Sequence, residues 1–399
     1  MTGSQKQTKA RLIPVIALAP NDWDGPWRNR QHVLTRLAQR GWPIIYSTGP
    51  LSLWDRESLA WRKAPPVGRF EQKEGVFVNI AGRFPFRWPS CHAWDHWAIR
   101  NHARKLVRRL VAPDNLLVCL FHPSLWPIAE RLQPRWLVYY AYDNFRWEID
   151  GDRQLVAAES AVVDRASLIV ATTRSIGDAL GTAAQPKLRI LGNGVDFRGV
   201  VSAANQPCPD EIAAIPRPRI GYCGVTNRKL DFTLVERIAL SRPDWHWVFI
   251  GPEQGLEDAY EAPNKPIREA WQRTKRLPNV YFTGEMTPAS YSACLHHMDV
   301  NIICNRTDDG WWKDAYPLKF HEYLACGRPV VSSRVESLLE FAEVAEFVDG
   351  VEPWMRALQR AIYDGGVGTA AGRRAIAKQN DWDIRVELFE HWLNEITTQ

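Results

Sequence analysis

The chain has 399 residues, 45% of them hydrophobic and 24% charged, which is too long for one core and apolar enough to bury two. Its seven cysteines are scattered and form no CxxC pair, which excludes a disulfide framework or a zinc knuckle and suits a reducing cytosol. Basic residues exceed acidic ones by five, but between Arg83 and Arg109 seven Arg or Lys face a single acid, Asp95, so one segment holds the whole surplus and the remainder is near neutral.

In chain order, a polar, basic opening leads into the apolar run Leu12 to Ala19, broken by Pro14 and too short for a secretory leader. No window reaches the eighteen or so apolar residues that a membrane span needs. The expectation is a cytoplasmic chain, soluble or peripheral on the inner face of the cell membrane. Leu12 to Ala19 predicts a strand. Arg28 to Arg40, with Val33, Leu34, Leu37 and Ala38 at helical spacing and Gly41 as stop, predicts a helix, and Ile44 to Ser47 a second strand. This βαβ opening implies a parallel sheet, continued by strands at Leu116 to Phe121, Trp136 to Tyr142 and Leu168 to Ala171. A segment with four prolines, VVSAANQPCPDEIAAIPRPR, predicts a linker over 201–216. The alternation then restarts with strands at Ile220 to Cys223, Trp247 to Ile250, Val280 to Phe282, Val300 to Cys304 and Pro329 to Ser332. Helices are predicted at Phe232 to Ser241, Pro288 to His296 and Pro317 to Ala325. The fold class is α/β, with two doubly wound, Rossmann-like domains facing a cleft: residues 1–200, to which a final helix within 380–399 returns, and residues 217–379.

In such sheets ligands sit beyond the carboxyl ends of strands, which singles out WWKDAYPLKFHEYLACGRPVV, residues 311–331. A polar loop ends there and Pro317 occupies the expected first helical position. The amides that follow it offer an anion site backed by the helix dipole. Asp314 and Glu322 bracket this start, and carboxylates accept hydrogen bonds from sugar hydroxyls. Glu322 could equally pair with Lys319 on a helix surface, and Arg228 and Lys229 could be a solvated helix start.

The acid, seven residues, then glutamate at Asp314 and Glu322, followed by YLACGRPVV, resembles the nucleotide-sugar site of bacterial GT-B glycosyltransferases of the family-four type. IGYCGVTNRKLD, WHWVFIGP, LPNVYFTGEM and LGNGVDFR are similar to further segments of that family. The resemblance implies a GT-B fold and a hexosyltransferase using a nucleotide diphosphate sugar as co-substrate, with no separate cofactor and no metal. It implies that Glu322 binds the ribose and Asp314 the donor sugar, and that Gly224 lets the backbone approach the diphosphate that Lys229 or Arg228 neutralises. Pro317, Leu318 and Lys319 complete the donor side. The chain departs from the family in having Asp for the first acid, and Pro317 where many members have glycine.

In the first half, Asp143 follows a strand and is the candidate general base, with an Asx turn as the alternative role. The stretch around it is similar to the membrane-associated glucuronosyltransferase of xanthan assembly, which tilts the expectation toward inversion. Asp24 is the second candidate base. Trp23 and Arg28 are expected to shape an acceptor pocket. Asp22 and Asp24 form a D-x-D, read here without a metal because the context is the first βα turn. His92, Asp95 and His96 lack further ligands and are read as a helix face. In the basic segment 83–111, Trp94, Trp97, Arg104 and Arg108 suit either a solvated docked helix or an anionic membrane interface serving a lipid-linked acceptor. No nucleic-acid module accompanies the patch. Two alternatives share these features: a UDP-sugar 2-epimerase of the same fold, and a non-catalytic protein that binds sugar nucleotides or membranes. Trp311 and Trp312 are expected to cover the donor sugar or the cleft.

Overall fold

The computed structural model describes residues 13–145, 153–256, 265–308 and 310–398, with Trp311 described in its backbone only. Two compact units divide the chain, one of 1–191 with 386–399 and one of 192–385.

The first unit contains β1 (Val15–Leu18), α1 (Asn29–Gln39), β2 (Ile44–Ser47), α2 (Leu59–Lys63), β3 (Arg69–Lys73), β4 (Val76–Ile80), α3 (His92–Val107), β5 (Leu117–Leu120), α4 (Trp126–Leu132), β6 (Trp136–Ala141), α5 (Arg153–Arg165), β7 (Leu168–Ala171), α6 (Arg174–Ala179) and β8 (Leu188–Ile190). Its eight strands run in the order β3-β4-β2-β1-β5-β6-β7-β8. The pairings are parallel apart from β3 with β4. VIAL, LVCL and WLVYYA are buried along their whole length, as parallel strands covered on both faces must be. Ile16, Leu18, Val118, Leu120, Leu137 and Tyr139 lie in the core between sheet and helices. The β3–β4 hairpin went unforeseen: its turn at Glu74-Gly75, both at positive φ, lacks the usual Asn-Gly or Asp-Gly signal.

The second unit contains α7 (Phe197–Ser202), α8 (Asp210–Ala213), β9 (Arg219–Cys223), α9 (Phe232–Ser241), β10 (His246–Ile250), α10 (Lys265–Thr274), β11 (Val280–Gly284), α11 (Pro288–His296), β12 (Val300–Ile303), α12 (Lys319–Cys326), β13 (Val330–Ser333), β14 (Glu346–Val348), α13 (Val351–Tyr363), α14 (Ala370–Gln379) and the start of α15 (Trp382–Thr398). Its six strands are ordered β11-β10-β9-β12-β13-β14 and all pair in parallel. Residues 201–216, expected as a linker, instead fold into this unit. Ile212 and Ile215 are buried in the core that also holds Phe320, Tyr323 and Leu324, so the prolines there punctuate two short helices. The division falls after Leu191 rather than near residue 200. Residues of α15 from Val386 onward belong to the first unit, where Glu390 accepts from the Trp42 indole at 2.7 Å and Phe389 meets the Tyr140 ring edge-on.

Candidate functional site

The second unit gathers its polar groups where β9 ends. Gly224 follows that strand with φ +139°, and a Cβ there would lie 2.6 Å from Lys319 Nζ, so only glycine fits. Its N–H donates to Ile250 O at 2.8 Å. Lys319 opens α12 and sets its ammonium over the Tyr222 ring, 3.7 Å from the centroid. Burial lowers its pKa to about 8 against the partial support of Cys223, Cys304 and Glu322.

Glu322 lies one turn on. The expected surface pair with Lys319 is replaced by a hydrogen bond that Tyr291 Oη on α11 donates to Glu322 Oε2 at 3.0 Å. Burial raises the Glu322 pKa to about 7; the Tyr291 bond and Lys319 hold it down, and Asp196 pushes it up. Both shifts are costs to the folded state. For Glu322, stability falls as pH rises from 4.5 to about 7, because the folded carboxyl binds its proton more tightly. For Lys319, stability rises as pH climbs from about 8 to 10.5, because the unfolded ammonium is the tighter proton binder there. Ionisable groups buried at such cost are candidates for a functional site.

The backbone around them is clamped. Cys223 N–H donates to Tyr323 Oη at 2.8 Å, tying α12 to the end of β9. Asn193 Nδ2, in the LGNGVDFR turn, donates to Tyr316 O at 2.7 Å, and Tyr316 Oη meets His321 Nε2 at 2.8 Å. Thus the turn that the sequence offered only as a family likeness braces the loop into α12. Pro317 is not the first helical residue. The helix begins at Lys319, with Leu318 as N-cap and no side-chain cap, and Pro317 O accepts from Phe320 N–H at 3.2 Å. An uncapped start leaves first-turn donors for a ligand. Asp314 is buried at the end of a 3-10 turn, Gly310–Asp314. Arg228 is exposed and Lys229 half-buried on the loop after Gly224. Trp312 is not a cover: it is buried in the core, its indole N–H donating to Arg334 O at 3.0 Å. The side chain of Trp311 lies outside the described residues.

The first unit corrects several expectations. Asp24 is exposed and held by Lys73 Nζ at 2.6 Å, which neutralises the second candidate base. Trp23 is a core residue, 5.0 Å from the Tyr46 ring, with its indole donating to Glu74 Oε2 at 2.7 Å. Lys73 and Glu74 both come from the unforeseen hairpin. Arg28 is exposed at the N-cap of α1. Asp143 stands where expected, just past β6, and its Oδ1 accepts from Asn144 N–H at 2.9 Å. Asp95 is taken by Arg87, 2.8 Å away.

On α3, Trp94 and Trp97 pack with ring centroids 4.9 Å apart, tilted by 46°, and join Phe84 and Phe86 of the preceding segment in one aromatic cluster. Phe84 is 51% and Trp88 39% exposed, and Arg104 and Arg108 are exposed beside them in sequence. Among the described residues no helix is long and apolar enough to cross a membrane.

Residues 217–362 match the family model described as glycosyl transferases group 1. A Bacillus subtilis (strain 168) protein named as a teichuronic acid biosynthesis glycosyltransferase, TuaH, is 29% identical over 237 residues. That match covers 57% of this chain and 56% of the relative, so the chain spans about half the length of the curated relative it matches. Among solved structures, Anabaena HepE in complex with UDP and glucose aligns with a TM-score of 0.69 at 14% identity, covering 96% of this chain and 100% of that one. The trehalose-6-phosphate synthase OtsA aligns at 0.70 and 12%, covering 97% and 99%. Sucrose-phosphate synthase of Thermosynechococcus elongatus aligns at 0.70 and 14%, again covering 97% and 99%. By these matches the chain is a two-domain α/β protein with the GT-B fold of those glycosyltransferases, and its residues 217–362 match the group 1 glycosyl transferases.

Proposed function

We propose that the protein is a glycosyltransferase that moves a hexose from a nucleotide diphosphate sugar to an acceptor hydroxyl in the assembly of a cell-surface polysaccharide. The observation that carries this reading is the trio at the end of β9: a glycine with no room for a Cβ, a buried lysine against it, and a glutamate held by Tyr291 one turn later. A diphosphate accepts from Lys319, from the uncapped amides of α12 and from Arg228 or Lys229. Glu322 accepts from the ribose hydroxyls and Asp314 from the sugar. The acceptor hydroxyl gives its proton to Asp143 as its oxygen bonds the anomeric carbon; the bond to the diphosphate breaks and its electron pair leaves with the nucleotide. A direct displacement of this kind inverts the anomeric centre. Charge on the leaving group is met by side chains and helix amides, so the reading needs no metal or other cofactor. The HepE structure with UDP and the TuaH name support a UDP sugar and a polysaccharide pathway.

We also propose that the acceptor is lipid-linked and reached at the inner face of the membrane. Exposed Phe84 and Trp88 beside the Trp94–Trp97 cluster, with Arg104 and Arg108 nearby, suit an anionic interface. A nucleotide-sugar binding screen followed by transfer onto extracted lipid acceptors tests the reading. It predicts transfer that depends on acceptor. Acceptor-free epimerisation of the donor would refute it, as would nucleotide binding with no turnover on any acceptor.

A further inference from the structure

The proposed chemistry gives Arg30 no role. It sits in the first turn of α1, 0% exposed, at the carboxyl edge of the sheet. Its Nε, Nη1 and Nη2 are buried and meet no hydrogen-bond partner. Its guanidinium carbon stands 4.9 Å from the Tyr142 ring centroid. The phenol is close enough for Arg30 to restrain its burial-raised pKa, but the geometry falls short of a hydrogen bond. Tyr46 lies in β2 and His122 follows β5; the field of Arg30 acts on both. His122 is driven mainly by burial, and further by Arg30, down to about 4, so it is neutral and brings no second cation. The other charged groups around Arg30 are Arg28, Asp22 and Asp143, all of which act on Tyr46 or Tyr142.

A buried cation with five unanswered N–H donors is costly to fold, and a guanidinium fork matches an oxyanion in two points. The start of α1 adds its dipole: it is eleven residues long and has no acid in its first turn, although Gln31 Oε1 accepts from Arg28 N–H at 3.0 Å and Asn29 Oδ1 from Arg30 N–H at 2.8 Å. We propose that Arg30 and the start of α1 form an oxyanion site, so that the acceptor carries a carboxylate or phosphate bound there while its hydroxyl reaches Asp143. Tyr142, half-buried, is the side chain that must swing for the anion to enter. The term acceptor rests on the glycosyltransferase reading; the anion site does not.

The test is thermal melting of the full chain in chloride, inorganic phosphate and glucuronate at matched ionic strength. Wild type should gain about 2–4 °C in one of the latter two over chloride. Gain in phosphate only points to a phosphorylated or lipid-phosphate acceptor, and gain in glucuronate only to a uronic acid. Arg30→Met should lose that gain and melt no lower than wild type in chloride, since it removes an unpaired buried charge. Arg30→Lys should keep part of it. Any gain that persists in Arg30→Met belongs to the donor side and overturns the proposal. So does a collapse of Arg30→Met in chloride, which would mark a purely structural arginine, and so does equal melting of wild type in all three salts. UDP-induced stabilisation, measured alongside, tests the donor reading separately: it can fail while the Arg30 result stands, and the reverse.

Discussion

The two units carry their polar groups in different ways. In the second, Gly224 stands at the end of β9 and Lys319 and Glu322 are three residues apart on α12. In the first, Asp143, Tyr142, His122, Tyr46 and Arg30 come from three strands and a helix spread over more than a hundred residues. A site on one helix is written into local spacing; a site assembled across a sheet is decided by long-range partners. Asp24 shows the difference. Its carboxylate looked as free in the sequence as that of Asp143, yet Lys73, 49 residues away, takes it.

The largest effect that would sharpen this contrast is expected at Asp143. Asp143→Asn should cut turnover by about 10²–10⁴-fold with donor affinity unchanged, measured by steady-state kinetics; a loss confined to KM would return Asp143 to a turn role. Next, Lys319→Met should weaken UDP binding about 10- to 150-fold, the worth of a charged hydrogen bond. The same variant gives a pH signature: wild-type affinity should fall as pH rises through about 8 and the Lys319 ammonium loses its proton, and Lys319→Met should lose that limb. Gly224→Ala should destabilise the folded chain by about 1–3 kcal/mol, because the added methyl meets Lys319 in a left-handed backbone; denaturant midpoints check this. The smallest effect belongs to Asp24→Asn, whose exposed pair with Lys73 is worth at most about 1 kcal/mol. A large loss of activity there would break the contrast, since it would make Asp24 a catalytic group after all.

Most of the fold is legible in the sequence because parallel strands bury both faces and so stand out as apolar runs between amphipathic helices. The α11 helix is read to the residue, Pro288–His296, where Thr287 caps it and proline opens it. The hairpin β3–β4 is lost because an edge pair with mixed exposure, RFEQK, carries no apolar run. The segment 201–216 misleads because its prolines suggest looseness, whereas Ile212 and Ile215 anchor it. At the candidate site, Asp314, Gly224 and Glu322 are singled out by spacing and likeness together. Tyr291 and Asn193 are not, since each reaches its partner across 31 and 123 residues respectively. Trp312 reads as a binding aromatic and proves to be core, because a polar loop in sequence can still bury one side chain under its own turn.

The central claim is that Glu322, buried and held by Tyr291, takes the nucleotide end of the donor. Titration calorimetry of UDP into wild type and Glu322→Gln at pH 7.5 tests it most directly. The account predicts an affinity about 10- to 150-fold weaker in the variant with the fold intact by circular dichroism; equal affinity in the two proteins would contradict it.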